Sequence, residues 1–172
     1  MKPQKTTRGY EIAGRMPLFQ KWGRDAIRED RKTMTRRVIK TPAETGNFNC
    51  SCPWKVGEYR VMTEPLKKVG SFTYYLDTNE DVFDLEGDPM FWRWKKDILS
   101  AMFMPTEAAR TICQITNIRV ERVQDITEAD SIAEGSQIPC AEFSRIWDPI
   151  NKKRGYGWDV NPWVWVVEFK KI

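Results

Sequence analysis

The chain has 172 residues, 41% of them apolar and 30% charged, with 28 Lys and Arg against 24 Asp and Glu for a net charge of +4. That composition supports one buried core with a soluble surface, and 8 Trp, 8 Phe and 5 Tyr exclude a wholly disordered chain. The longest apolar run, Trp163 to Val167, is far short of the ~20 residues a membrane span needs, and the absence of histidine excludes every mechanism built on imidazole.

Met1 to Lys5 leads into no apolar stretch, so the expectation is a cytoplasmic protein without a secretory signal and with no membrane partner. The spacing of Phe19, Trp22, Ala26 and Ile27 predicts a helix over Phe19–Arg31, with charges on its opposite face. The stretch from Lys21 to Lys40 carries a local charge of +5. Up to Asp30 its charges are of mixed sign, Arg24 and Arg28 beside Asp25 and Glu29, and read as a solvated helix face. From Arg31 to Arg37 the bases Arg31, Lys32, Arg36 and Arg37 have no acid among them, which marks a patch able to neutralise phosphates. This basic segment is expected to leave the helix and enter irregular structure.

Strands are predicted over Tyr59–Thr63, after a Gly57-Glu58 turn, and over Phe72–Leu76. Asp77 to Lys96 is acidic, punctuated by Gly and Pro, and ends in Phe91-Trp92-Arg93-Trp94. It reads as a long surface excursion, with the insertion reaching to about residue 105, and as a candidate lid. Thr111–Val123 alternates as a strand with apolar residues on both faces. Thr127 as N-cap, Asp130 three residues on and Gly135 as terminator predict a short helix ending at Glu134. A carboxylate there opposes the helix dipole, which points to a task other than stability. A second helix is predicted from Cys140 to about Asn151, then a Gly155-Tyr156-Gly157-Trp158 loop and a terminal strand, Trp163–Lys170. Trp163 and Trp165 are assigned to the core, and Tyr156 and Trp158 to an accessible loop. The pattern is α+β in one domain, a small curved mixed sheet or barrel with two or three flanking helices. Cys50, Cys52, Cys113 and Cys140 lack the spacing of a zinc knuckle. Reduced thiols are the expectation, a four-thiolate zinc site the alternative; no metal or other cofactor is assigned.

Three segments together resemble the ASCH family, a PUA-like β-barrel: Arg31-Lys32-Thr33-Met34-Thr35-Arg36-Arg37, Gly57-Glu58-Tyr59-Arg60-Val61-Met62-Thr63-Glu64, and Trp163-Val164-Trp165-Val166-Val167-Glu168-Phe169. The run from Val120 through Gly135 fits the family's strand-then-helix. Variants sharing the Arg-Gly-Tyr-Gly-Trp-Asp and Asn-Pro-Trp-Val-Trp-Val pieces are mostly phage and prophage proteins. The chain departs from the pattern in three places. Asp30 stands where the family has Gly, Glu58 stands where it has Asp, and the segment from Asp77 is inserted.

The resemblance implies an RNA- or modified-nucleoside-binding protein with a basic cleft. Arg31, Thr33, Arg36, Arg37, Glu64, Tyr156 and Trp158 fall in the binding set, with Trp92 and Trp94 as further stacking candidates. It also implies an alternative, an amidohydrolase of N4-acylated cytidine with Lys32, Thr35 and Glu134 as its catalytic residues. Lys32 would act as base, its ammonium destabilised by the neighbouring arginines, Thr35 as nucleophile, and Glu134 as acid or water-positioning group. A ribonuclease using the same cleft, or a phage factor that binds a host protein, are the remaining readings. The bland alternative assigns Lys32 and Arg36 to phosphates and Glu134 to a surface ion pair.

Overall fold

A computed structural model describes residues 9–40, 52–84 and 87–172, together with the backbone of residues 4–5. Along the chain the regular elements are β1 (Gln4–Lys5), β2 (Glu11–Arg15), α1 (Lys21–Arg28), β3 (Met34–Val38), β4 (Tyr59–Val61), β5 (Leu66–Val69), β6 (Phe72–Tyr75), β7 (Ile98–Leu99), β8 (Ile112–Arg122), α2 (Glu128–Ala133), α3 (Ser144–Asn151) and β9 (Trp163–Lys171). The chain divides into two compact units. One comprises Met1–Arg24, Glu58–Gln114 and Ile172; the other comprises Asp25–Gly57 and Ile115–Lys171.

In the first unit β1 runs antiparallel to β2, β2 parallel to β4, and β4 antiparallel to the opening residues of β8. Ile12, Val61 and Ile112 form the small core of that sheet. A second sheet has the order β6-β5-β7. Its register sets Leu66 opposite both Tyr75 and Leu99, so these three share one face, and all three are buried. The segment expected to be a surface lid instead folds back onto β6. Single bridges join Tyr74 to Asp81, Phe72 to Phe91 and Phe83 to Pro89. They deliver Val82 and Met90 into the same core as Leu66, Tyr75, Leu99, Met104 and Ala108, with Trp92 and Trp94 packed against it. Glu80, Asp81 and Asp88 are exposed on this packed excursion, and the ion pair between Arg24 and the largely buried Asp77, 2.7 Å, ties down its start.

In the second unit β9 is the central strand, between β8 and β3. β3 pairs with it antiparallel from Met34 opposite Glu168 to Val38 opposite Val164. The basic segment therefore does not run into irregular structure. Val164, Val166 and Val167 of β9 are fully buried, and a buried strand must have its backbone donors and acceptors paired. Met34–Val38, with Thr35 and Val38 suited to a pleated strand, supplies those partners despite its charge. Met34, Val123, Ile126, Phe143, Trp147, Val164 and Val166 form the core that α2 and α3 cover. Thr127 caps α2, its hydroxyl accepting from the Asp130 N–H at 3.1 Å. The predicted second helix begins as a 3-10 turn at Cys140–Glu142 before α3. The architecture is thus α+β with three helices and mixed strands. Within each unit the described strands form open sheets, so the expected barrel is not closed in either.

The exit from α1 explains a departure noted in the sequence. Asp30 has φ +58°, in the left-handed region, and it occupies the position where glycine was expected. Aspartate is among the few residues that tolerate that region. Its carboxylate also lies 2.7 Å from Lys171 Nζ, which in turn donates to the Arg28 carbonyl. Asp30→Gly should change stability by less than about 1 kcal/mol, because relief of backbone strain offsets the lost exposed ion pair. Asp30→Val should cost about 1–2 kcal/mol. Urea denaturation of the two variants measures both values.

Candidate functional site

The site forms where the exit of α1, the start of β3 and the end of α2 meet. The Lys32 N–H donates to the Ala26 carbonyl at 3.0 Å, and the Thr33 N–H to that of Ala133 at 2.8 Å. The backbone of Lys32 thereby bridges to Glu134. The approach is close enough to demand glycine at the next position. Gly135 has φ +77°, and a Cβ there would come within 2.9 Å of Lys32 Cβ and 3.0 Å of Ala26 Cβ. Gly135 therefore both ends the helix and makes room for the lysine.

Lys32 Nζ donates to Glu134 Oε2 at 2.6 Å and to the Glu134 backbone carbonyl at 2.7 Å. The side chains are 2% and 6% exposed. The ammonium caps the C-terminal carbonyls of α2, where a cation is favoured, and this offsets the misplaced carboxylate of Glu134. Burial nevertheless dominates the amine and holds its pKa below the ordinary 10.5. Glu134 opposes that shift, while Arg37 and Arg36 reinforce it by like charge.

The two oxygens of Glu134 differ. Oε2 holds Lys32, whereas Oε1 is buried and accepts no hydrogen bond among the described residues. Arg36 Nη1 lies 3.6 Å from it, beyond hydrogen-bonding distance. Arg36, with a side chain 1% exposed, is turned toward other carboxylates: its Nη2 lies 2.6 Å from Asp130 Oδ2 and 3.1 Å from Glu121 Oε2. Arg119 adds to this network, 3.1 Å from Asp130 and paired with Glu121 and Glu168. Burial pushes the Asp130 carboxyl up, but Arg36 and Arg119 outweigh it and hold its pKa below 3.8.

The remaining sequence-derived positions are distributed as follows. Thr35 is buried in β3 opposite Val167, three residues from Lys32, and no hydrogen bond among the described residues links it to Lys32 or Glu134. Arg37 is half-buried. Burial lowers its pKa, the charge of Glu134 opposes this, and the charge of Arg154 adds to it. Arg31 and Thr33 are exposed, Arg31 pairing with Glu29. Glu64 is in the first unit and completely buried. Its carboxylate is held by the fork of Arg110 at 2.7 and 2.8 Å, and Arg110 in turn lies 3.8 Å from the centre of the Tyr75 ring. Tyr156 and Trp158 are half-buried, with Trp158 against Phe143 at 6.2 Å.

Sequence reasoning had not singled out Glu121, Arg119 or Arg154. The strand alternation of β8 puts Arg119 and Glu121 on one face, a signal in the pattern; nothing local marks Arg154. Among the described residues no group of three or more Cys, Asp or Glu is placed to hold a metal. Among the described residues Cys52, Cys113 and Cys140 form no disulfide with one another, and Cys50 lies outside the described residues. Among the described residues no helix is long and apolar enough to cross a membrane.

No family model matches the chain, and no curated protein matches it. Solved structures do. An ASCH domain from Lactobacillus crispatus JV V101 is similar at 12% identity with a TM-score of 0.51, covering 95% of this chain and 82% of that one. A protein of Enterococcus faecalis V583 described as a DUF984 family member is similar at 12% identity with a TM-score of 0.44, covering 86% and 65% respectively. The first of these shows that the chain has an ASCH-type fold.

The charge network behind the site has a consequence for acid stability. A carboxyl whose pKa is depressed on folding contributes stability above its unfolded value, and that contribution is lost as pH falls through the folded value. Asp130→Asn should therefore cost about 1–3 kcal/mol at neutral pH, with a shallower loss of stability below about pH 4 than the wild type shows. Denaturant unfolding at a series of pH values checks both the cost and the slope.

Proposed function

We propose that the Lys32–Glu134 site binds an N4-acylated cytidine and hydrolyses its amide, with Thr35 as nucleophile. The observation that carries this reading is the buried pair itself: an amine with a lowered pKa hydrogen-bonded to a carboxylate whose second oxygen accepts no hydrogen bond among the described residues. Such a pair is weak as a stabilising device, since an apolar replacement often serves as well. It is apt as a proton-transfer device.

Shifting one proton across the 2.6 Å contact converts ammonium and carboxylate into amine and carboxylic acid. That provides a base and an acid at once. The Lys32 amine takes the Thr35 hydroxyl proton as Oγ1 bonds to the acyl carbon. The tetrahedral adduct collapses, the C–N4 bond breaks, and Glu134 gives its proton to the departing N4. Lys32 is then ammonium and Glu134 carboxylate. In the second half Glu134 takes a proton from water as its oxygen adds to the ester. The ester C–O bond breaks, and the Lys32 ammonium returns a proton to Thr35. The products are cytidine and a carboxylic acid, and the pair is restored.

A second reading, binding of an RNA or nucleoside without hydrolysis, is favoured by one observation: among the described residues no hydrogen bond joins Thr35 to Lys32 or Glu134. Chromatography of N4-acylated cytidines incubated with the protein separates the two. The hydrolytic reading expects cytidine release that falls by about 10²-fold or more in Lys32→Ala. Its kcat/KM should follow a bell whose upper limb lies below pH 10.5, because the active pair holds one proton and burial lowers Lys32. No release across the panel, at high protein concentration and over a wide pH range, overturns hydrolysis and leaves the binding reading.

A further inference from the structure

We propose that the outer face of the sheet β6-β5-β7 is an interface on which a second copy of this chain docks, with a twofold axis running along the strands. The surface lies wholly within the first unit and owes nothing to the chemistry proposed for Lys32 and Glu134.

Register identifies the face. Leu66 sits opposite Tyr75 and Leu99 on the core side, so the alternate residues point the other way. Lys67 shares that outer face with Tyr74 and Ile98, and Val69 shares it with Phe72. Single bridges carry the face onward, from Tyr74 to Asp81, from Phe72 to Phe91, and from Phe83 to Pro89. The excursion alternates in the same sense: Val82 and Met90 are buried, whereas Asp81, Phe83, Pro89 and Phe91 are exposed. Its backbone is fixed to β6. The Val82 N–H donates to the Thr73 carbonyl at 3.0 Å, the Thr73 N–H to that of Met90 at 2.9 Å, and the Met90 N–H to that of Val82 at 2.8 Å.

A sheet face that meets water is ordinarily polar. Here Val69, Phe72, Phe83, Phe91 and Ile98 are all exposed, Phe91 by 66% and Ile98 by 57%. The Phe72 and Phe91 rings stack at 5.0 Å. Exposed apolar residues scattered singly need no explanation, but five gathered on one face mark an interaction surface.

Charge selects the occupant. Across the sheet, the row Ile98, Lys67, Tyr74, Asp81 carries one cation and one anion, on either side of Tyr74. Lys67 donates to Asn79. Among the described residues it has no carboxylate partner, and Asp81 has no basic one. Opposite charges set on either side of one strand are self-complementary. Rotation about an axis along β6 lays the Lys67 side of one copy over the Asp81 side of the other. The same rotation brings the apolar row Val69, Phe72, Phe91 onto its own counterpart. Two ion pairs then flank an aromatic centre, which is the isologous contact a C2 dimer requires. Sheets that stack face to face also prefer strand directions close to parallel. A nucleic acid suits the face less well, since the exposed Asp81 and Asp88 would repel its phosphates.

Sedimentation equilibrium of the full chain over a range of concentrations measures the association, with circular dichroism showing that each variant is folded. The expected result is a monomer–dimer equilibrium. Phe91→Glu should weaken it by at least about tenfold, because the change acts twice across the axis. Lys67→Glu and Asp81→Lys should each weaken it by about threefold or more, and the double variant should recover the wild-type constant. A monomer at every concentration overturns the interface, as does a dimer whose constant Phe91→Glu leaves unchanged. A double variant no tighter than the single ones overturns the axis. A monomer that binds single-stranded RNA, and loses it in Phe91→Glu, overturns the second copy as occupant in favour of a nucleic acid.

Discussion

A lysine and a glutamate sealed from water in contact with one another are the constraint around which the second unit is arranged. Taking both groups out of water is expensive, and their mutual attraction repays it only when geometry is tight. The structure meets that condition with backbone as well as side chains. Lys32 and Glu134 bridge through their main chains, and Gly135 lets Ala26 and Lys32 approach to distances that a Cβ would forbid. The Glu134 carbonyl supplies Lys32 with a second acceptor. Arg36, itself held by Asp130 and Glu121, stands behind the carboxylate without satisfying its free oxygen. The result is a pair fixed in place and incompletely satisfied, a combination that suits a group meant to meet a ligand's proton.

Lowered basicity follows from the same arrangement. Arg36 and Arg37 flank Lys32 along the chain, and the interior gives their repulsion more reach than water would. Glu134 counters with attraction, yet burial prevails for the amine.

Much of this was legible in the sequence because the informative residues obey local rules. Thr127, Asp130 and Gly135 announced a short helix and both of its ends. The alternation through Thr111–Val123 and Trp163–Lys170 announced the two long strands, which run over Ile112–Arg122 and Trp163–Lys171. Asp30 read only as a departure from the family's glycine, and its φ of +58° gives the physical reason glycine suits that position. What stayed hidden depended on tertiary partners. Met34–Val38 reads as part of a basic patch entering irregular structure until β9 is beside it, needing a strand as its hydrogen-bonding partner. The segment after Asp77 reads as a loop because its acids outnumber Val82 and Met90, the two residues that anchor it to a core. Arg36 was indistinguishable in sequence from its basic neighbours, although its carboxylate partners lie 85 and 94 residues away.

The account stands on Lys32 being a weak base inside the fold, and its titration can be followed directly. Side-chain NMR of lysine-labelled protein across alkaline pH, with Lys32→Arg assigning the resonance, measures that property without a substrate. The expected result is one lysine titrating below 10.5 and absent from the variant. A Lys32 signal that titrates with the surface lysines, at 10.5 or above, would contradict it.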